Sequence, residues 1–166
     1  PIEDYYKRVG FDFDKIPFSM LAHEYMEDYQ EKSYACNLHS DVLDVVNKAK
    51  NLGFSQTVLS ASKMDYLLKQ METLHVDDLF DSIYGINDIY AKSKVELAHA
   101  FKQTCSQDDE IYFVGDSVHD YEVAKSIGAK CILVTTGHQN RATLESVNVP
   151  VMDSLMESLD FIYERD

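Results

Sequence analysis

No run of apolar residues in this chain approaches the length of a membrane span, and no basic-then-apolar leader opens it. Cysteine is scarce: Cys36, Cys105 and Cys131 are odd in number and far apart. They fit neither a zinc spacing nor a disulfide framework, so they read as reduced core or surface thiols of a cytoplasmic protein. Basic residues are also few. The chain sets 15 Lys and Arg against 29 Asp and Glu, a net charge of -14. That argues against nucleic acid and anionic membrane surfaces as partners, since both call for basic patches. An acidic protein that handles phosphate needs a local exception, either a bound cation or a focused lysine. There is no internal repeat, no low-complexity tract and no long linker. What is present suffices for one domain with a sizeable core, or one domain plus a small appendage: 166 residues, 45% of them apolar. The chain begins at Pro1 without Met, so a segment upstream is expected to have been removed or omitted.

Along the chain, residues 1–16 are mixed and carry a Phe11-Asp12-Phe13-Asp14 alternation. Pro17 opens a helical pattern from Phe18 to about Tyr34, with Phe18, Leu21, Ala22, Tyr25, Met26 and Tyr29 on one stripe. The plain reading of that stripe is core or inter-helix packing. Helix and strand then alternate. Ser40 or Asp41 caps a helix that ends at Gly53, and Gln56–Ser60 reads as a buried strand. Residues 63–75 are helical, Ser82–Gly85 is a short strand and residues 93–104 form a helix. Strands are predicted at 110–115, 131–134 and 149–151, and helices at 118–127, 141–147 and 154–164. Repeated βα units predict an α/β fold, a parallel sheet with helices on both faces.

The stretch that organises the rest is Ile111-Tyr112-Phe113-Val114-Gly115-Asp116-Ser117-Val118-His119-Asp120. Its apolar start reads as a buried strand, and a carboxylate at the carboxyl end of such a strand lies where open α/β sheets place ligands. Two acids there, Asp116 and Asp120, are costly unless something cationic binds, which points to Mg²⁺ held by Asp116 with Asp120 adding or orienting a ligand. The plainer reading is a strand end and a helix cap. Ser60 follows the run Thr57-Val58-Leu59, where its hydroxyl and the Ala61 amide can bind a phosphate oxygen. By itself it is an ordinary turn serine. Lys92 and Lys94 stand at the start of a helix, where acids are usual, and a lysine there gains from a nearby anion. Lys94, which leads into Val95 and Leu97, is preferred to Lys92. His119 and His138 read as hydrogen-bonding loop residues and receive no catalytic role.

Leu59-Ser60-Ala61, Lys94 and Gly115-Asp116-Ser117-Val118-His119-Asp120 occur in that order, each at or just past a strand. Together they resemble the second, third and fourth motifs of the haloacid dehalogenase (HAD) superfamily, particularly its phosphoglycolate-phosphatase-like members. The helix Tyr121–Ala129 and Thr136-Gly137-His138 are also similar to that family's segments, and the resemblance covers residues 38–164. It implies a three-layer, doubly wound, Rossmann-like core over residues 37–166, with residues 1–36 as the remnant of a helical cap. It further implies a Mg²⁺-dependent phosphomonoester hydrolase working through an aspartyl-phosphate. Ser60 and the Ala61 amide would hold the phosphoryl group, Lys94 would neutralise it, and Asp116 and Asp120 would serve the metal. The substrate would be a small phosphorylated metabolite.

One part of the pattern departs. The family's first motif is an apolar strand ending Asp-x-Asp, which supplies the nucleophile. The nearest match is Asp12-Phe13-Asp14-Lys15-Ile16, where Lys15 and Ile16 stand for the usual Gly and Thr. Charged Lys7 and Arg8 precede it, where a central strand would be apolar. The segment looks more like the end of a cap. The expectation is a chain that starts inside the cap, lacks the nucleophile strand and is inactive alone. The alternative is a non-catalytic HAD-like domain used for binding or regulation.

Overall fold

The computed structural model describes residues 6–86 and 93–165. It divides into two compact units, Pro1–Asn37 and Leu38–Asp166.

The first unit is built on aromatic contacts. Tyr6 meets Phe11 edge-on with ring centroids 5.1 Å apart, and Phe13 meets Phe18 at 5.7 Å. Asp12 Oδ1 accepts the Asp14 amide at 3.1 Å and Oδ2 pairs with Lys15 at 2.9 Å, which folds this segment into a turn. The Asp12-Phe13-Asp14 alternation is therefore not a strand. Helix α1 (Phe18–Ser33) follows, as its periodicity predicts. Its stripe is only partly covered: Phe18, Leu21 and Ala22 are half-buried, while Tyr25 and Tyr29 are exposed and stack at 6.0 Å. So short a unit buries little of the surface its side chains offer.

The second unit alternates as predicted: α2 (Val42–Asn51), β1 (Thr57–Lys63), α3 (Met64–Thr73), a short 3₁₀ turn (Asp77–Leu79), β2 (Ser82–Ile86), α4 (Lys94–Thr104), β3 (Tyr112–Gly115), α5 (Val118–Ser126), β4 (Lys130–Val134), α6 (Arg141–Glu145), β5 (Val151–Met152) and α7 (Leu155–Tyr163). Among these helices and all others described, none is long and apolar enough to cross a membrane. All strand pairs are parallel. Among the described residues the strands form two sheets, β1-β2 and β3-β4-β5.

Strand β4 shows what fully covered means. Its Cys131 and Leu133 join Ala124 and Leu144 in one core on the α5 and α6 side. Ile132 and Val134, which alternate to the other face, are buried as well. Helix α7 lies against β4 and packs on α2, where Lys48 pairs with Asp160 at 2.5 Å. Asp41, expected to cap α2, makes no such bond. Its carboxylate instead accepts the amides of Leu155 and Met156, at 3.1 and 3.4 Å, and caps α7. A second core joins Leu67, Met71 and Val76 to Val58 and Ile83, so α3 covers β1 and β2. A third, of Ala98, Val123 and Ile127 with Leu59 and Phe113, sits between α4 and α5.

Two strand boundaries and one burial pattern differ from expectation. Strand β1 does not stop at Ser60 but runs to Lys63, although its register with β2 is broken after Leu59. Strand β3 is not buried on both faces: Val114 is 39% exposed. The closing strand is Val151–Met152 rather than 149–151, because Pro150 has no amide proton to pair.

Candidate active site

The site grows from the turn between β3 and α5. Ser117 is the N-cap of α5, and its side chain accepts the Asp120 amide at 3.2 Å. Asp120 reciprocates, with Oδ2 accepting the Ser117 amide at 3.1 Å, the Ser117 hydroxyl at 2.7 Å and the Asp116 amide at 3.0 Å. This is a capping box, readable in advance from Ser117-x-x-Asp120. The plain reading of Asp120 as a helix cap is thus correct as far as it goes. Its other oxygen does something more. Oδ1 pairs with Lys94 Nζ at 2.6 Å, and both side chains are largely withdrawn from water, 19% exposed for Lys94 and 4% for Asp120. A carboxylate so buried is tolerated because each oxygen has donors and one has a full positive charge.

Asp116 is placed by its backbone, through that amide bond to Asp120, so its own carboxylate is left to face the surface at 34% exposure. Oδ2 of Asp116 accepts the His138 amide at 2.8 Å and lies 2.8 Å from His138 Nδ1. Burial pushes the Asp116 carboxyl up, but the hydrogen bonds from the His138 ring and amide outweigh it and hold the group below the usual carboxylate range. It is therefore an anion at neutral pH.

Two glycines make this closeness possible. A Cβ on Gly115 would sit 2.3 Å from Asp120 Cβ, and one on Gly137 would sit 2.0 Å from Asp116 Oδ2. Neither approach is open to another residue without movement. The role of Gly137, the Asp116 contact of His138 and the bond from the Val118 amide to Gln139 Oε1 at 2.8 Å were not foreseen. They depend on residues some twenty positions apart meeting across the β4 strand end, which no local pattern signals.

The predicted residues fall into two groups. Lys94, Asp116 and Asp120 are assembled into one bonded cluster. Ser60 lies on β1, in the other sheet, half-buried, with its Oγ accepting the Ser62 amide at 3.1 Å. Ala61 beside it is exposed. Leu59 and Lys94 line one cleft between the sheets, which brings the start of the Ser60 segment and the Lys94 cluster to a shared wall. Lys92 lies outside the described residues. Among the described residues no three His, Cys, Asp or Glu side chains converge as a metal cage. With Asp120 filled by protein donors, Asp116 is the carboxylate available to a cation. Mg²⁺ accepts one or two carboxylates with waters and phosphate, so these residues fit part of its shell.

With that geometry in hand, comparison with known proteins is decisive for the family. Residues 1–134 match the model of the haloacid dehalogenase-like hydrolases. The chain belongs to this family. It is 26% identical over 127 residues to a protein of Caldanaerobacter subterraneus subsp. tengcongensis provisionally named pyrophosphatase PpaX, covering 74% of the chain and 57% of that relative. It is 23% identical over 139 residues to phosphoglycolate phosphatase 1 of Pseudomonas aeruginosa, covering 81% and 51%. The chain thus spans little more than half the length of these curated relatives. A haloacid dehalogenase-like family hydrolase of Streptococcus pneumoniae superposes with a TM-score of 0.84 at 20% identity, over 98% of this chain and 76% of that one. The α/β fold of parallel sheets and helices is therefore that of the haloacid dehalogenase-like hydrolases.

Proposed function

We propose that this chain is the larger part of a Mg²⁺-dependent phosphomonoester hydrolase of the cytoplasm, acting on a small phosphorylated metabolite. The observation that carries the reading is the buried Lys94–Asp120 pair, whose carboxylate also accepts the Asp116 amide, a charged cluster at the carboxyl end of β3 in a haloacid dehalogenase-like hydrolase. Asp116 is the metal-holding residue. Asp120 acts through it: it fixes the Asp116 backbone and anchors Lys94. Bound Mg²⁺ would supply charge neutralisation to the phosphate. Lys94 adds a second positive charge against the phosphoryl oxygens. Ser60 already accepts a bond from Ser62, which leaves its proton to donate to a phosphate oxygen beside the Ala61 amide. His138 holds the Asp116 carboxylate while no cation does.

The attacking carboxylate is not among these residues. Asp12 and Asp14 sit in a turn rather than at a strand end, so we place the nucleophile on a strand outside residues 1–166 and residues 1–36 in a cap. The chain alone would then bind a divalent cation weakly and hydrolyse nothing. Calorimetric titration with Mg²⁺ and a chromogenic phosphomonoester assay test both halves. Expected are a weak site lost in Asp116→Asn and no turnover. Turnover abolished by Asp12→Ala would overturn the missing-nucleophile reading, and Mg²⁺ binding indifferent to Asp116→Asn would overturn the metal assignment.

A further inference from the structure

The contact between Asp116 and His138 sets an oxygen and a nitrogen donor side by side at the surface of the candidate active site. Asp116 Oδ2 lies 2.8 Å from His138 Nδ1 and accepts the His138 amide, also at 2.8 Å. The His138 ring is 94% exposed, so burial does not press it against the carboxylate. It is held through its backbone instead. Gly137, just before it, approaches Asp116 more closely than a residue with a Cβ could. Gln139, just after it, accepts the Val118 amide at 2.8 Å and so ties the turn to the start of α5. The two donors are brought together from the ends of β3 and β4 by contacts that do not involve the ring.

Their spacing suits a shared ion. Two adjacent ligands of an octahedral ion with bonds of about 2.1 Å stand about 3.0 Å apart. A cation seated on both would take the place of the proton between them and leave its other positions to water or phosphate. The local charge allows it, because the neighbouring Asp120 carboxylate is already matched by Lys94. The donor types also discriminate. Carboxylate and water suit Mg²⁺, whereas imidazole suits the later first-row ions, and affinity rises from Mn²⁺ through Co²⁺ to Ni²⁺. A second histidine–carboxylate contact shows the difference. His119 and Glu122 are three residues apart on α5, both exposed, and stand 3.3 Å apart. That is ordinary helix spacing, with no backbone contact of the kind that holds His138.

We propose that Asp116 Oδ2 and His138 Nδ1 form a two-donor site for a borderline first-row divalent cation such as Ni²⁺, with the imidazole as a direct ligand. Mg²⁺ would take Asp116 and water without the ring. The two classes of cation would therefore compete for one carboxylate, and His138 would tilt that competition towards the transition ion. A transition ion on the pair would displace Mg²⁺ from the proposed phosphatase site. The inference rests on the proposed function for the role of Mg²⁺ at Asp116. The pairing of the two donors does not depend on it.

The test measures the affinity of the untagged 166-residue chain for Ni²⁺ and for Mg²⁺ by calorimetry, in wild type, His138→Ala and Asp116→Asn. His138→Ala keeps the amide bonded to Asp116 and removes only an exposed ring, so the fold should be unaffected. It should weaken Ni²⁺ at least tenfold and leave Mg²⁺ as tight as before or tighter. A second readout is carbethoxylation of the histidines by diethyl pyrocarbonate, followed by tryptic mass spectrometry. Peptide 131–141 carries His138 as its one histidine, and peptide 103–125 carries His119 as its one. Saturating Ni²⁺ should slow modification of His138 at least tenfold and leave His119 unchanged, and Mg²⁺ should protect neither. Failure of Ni²⁺ to protect His138, or equal protection of His119, overturns the proposal. So does an equal loss of both affinities in His138→Ala, because the ring would then merely position Asp116. The two readings fail separately. If Asp116→Asn abolishes binding of both cations while His138→Ala moves neither, the Mg²⁺ assignment stands and this proposal falls. If Asp116→Asn and His138→Ala weaken Ni²⁺ alone, the proposal stands and the Mg²⁺ assignment falls.

Discussion

Strands β3 and β4 lie side by side, paired in register from Tyr112–Lys130 to Gly115–Leu133, and both are short apolar runs. Their surroundings could hardly differ more. Every residue of β4 after Lys130 is buried, with Ile132 at 1% and Leu133 at 0% exposure. No residue of β3 is buried to that degree, and Val114 is open. The contrast follows from neighbours and not from composition. β4 has a strand on each side and helices on both faces, whereas β3, among the described residues, has a strand on one side. It teaches that the end of β3 is held in place by something other than apolar burial, namely the carboxylate of Asp120.

Four substitutions probe how differently the two strands are held. Asp120→Ala should be the most damaging, costing about 3–5 kcal/mol in urea unfolding, because it strands the Lys94 ammonium and leaves the Asp116 and Ser117 amides without their acceptor. A loss under 1 kcal/mol would show that the pair is dispensable. Leu133→Ala should come next at about 2–5 kcal/mol, since it empties a fully buried site in β4. Gly115→Ala should cost about 1–3 kcal/mol, as the new methyl forces Asp120 aside. If the proposed metal assignment holds, the same variant should weaken Mg²⁺ binding at Asp116, a readout that simple overpacking elsewhere would not move. Val114→Ala, in the open half of β3, should change stability by less than about 0.5 kcal/mol. If it costs as much as Leu133→Ala, the difference between the strands is illusory.

Thiol labelling offers an independent view of the same contrast. Burial, aided by the nearby charge of Asp120, pushes the Cys131 thiol up to about 12. Native protein treated with iodoacetamide at pH 8 should therefore leave Cys131 unmodified while exposed Cys36 reacts, and Cys131 should react only after denaturation. Intact and tryptic mass spectrometry would distinguish the two.

Much of the fold was legible because βα alternation writes its period into the chain. Helices α2 to α7 fall within a few residues of their predicted spans, since apolar spacing and caps are local signals. Of the candidate site, Lys94, Asp116 and Asp120 could be named in advance, because each sits at a strand or helix end where charge is out of place. What could not be read is partnership. That Asp120 would be filled by protein donors depends on the Ser117 turn and on Lys94, 26 positions away. That His138 would lie on Asp116 depends on a glycine with no side chain to obstruct it. The sheet's division is not written in any strand's own residues, which report the faces it will bury and say nothing of whether a neighbour is there; only the resemblance, with its central first-motif strand unmatched, was reason to expect it.

The two oxygens of Asp120 also belong to different scales of the polymer. Oδ2 closes loops of three and four residues with Ser117 and Asp116, whereas Oδ1 closes one of 26 residues with Lys94. Loop closure costs about 0.6 kcal/mol more for each doubling of length, so the long contact carries an entropic penalty about 2 kcal/mol greater than the short ones. The amide cage around Asp120 should accordingly form early, as α5 nucleates, and the lysine should arrive only when α4 docks. In refolding, helix order around position 120 would precede the protonic and electrostatic signature of the ion pair. A single carboxylate thus records, on its two atoms, the local and the global stages of the fold.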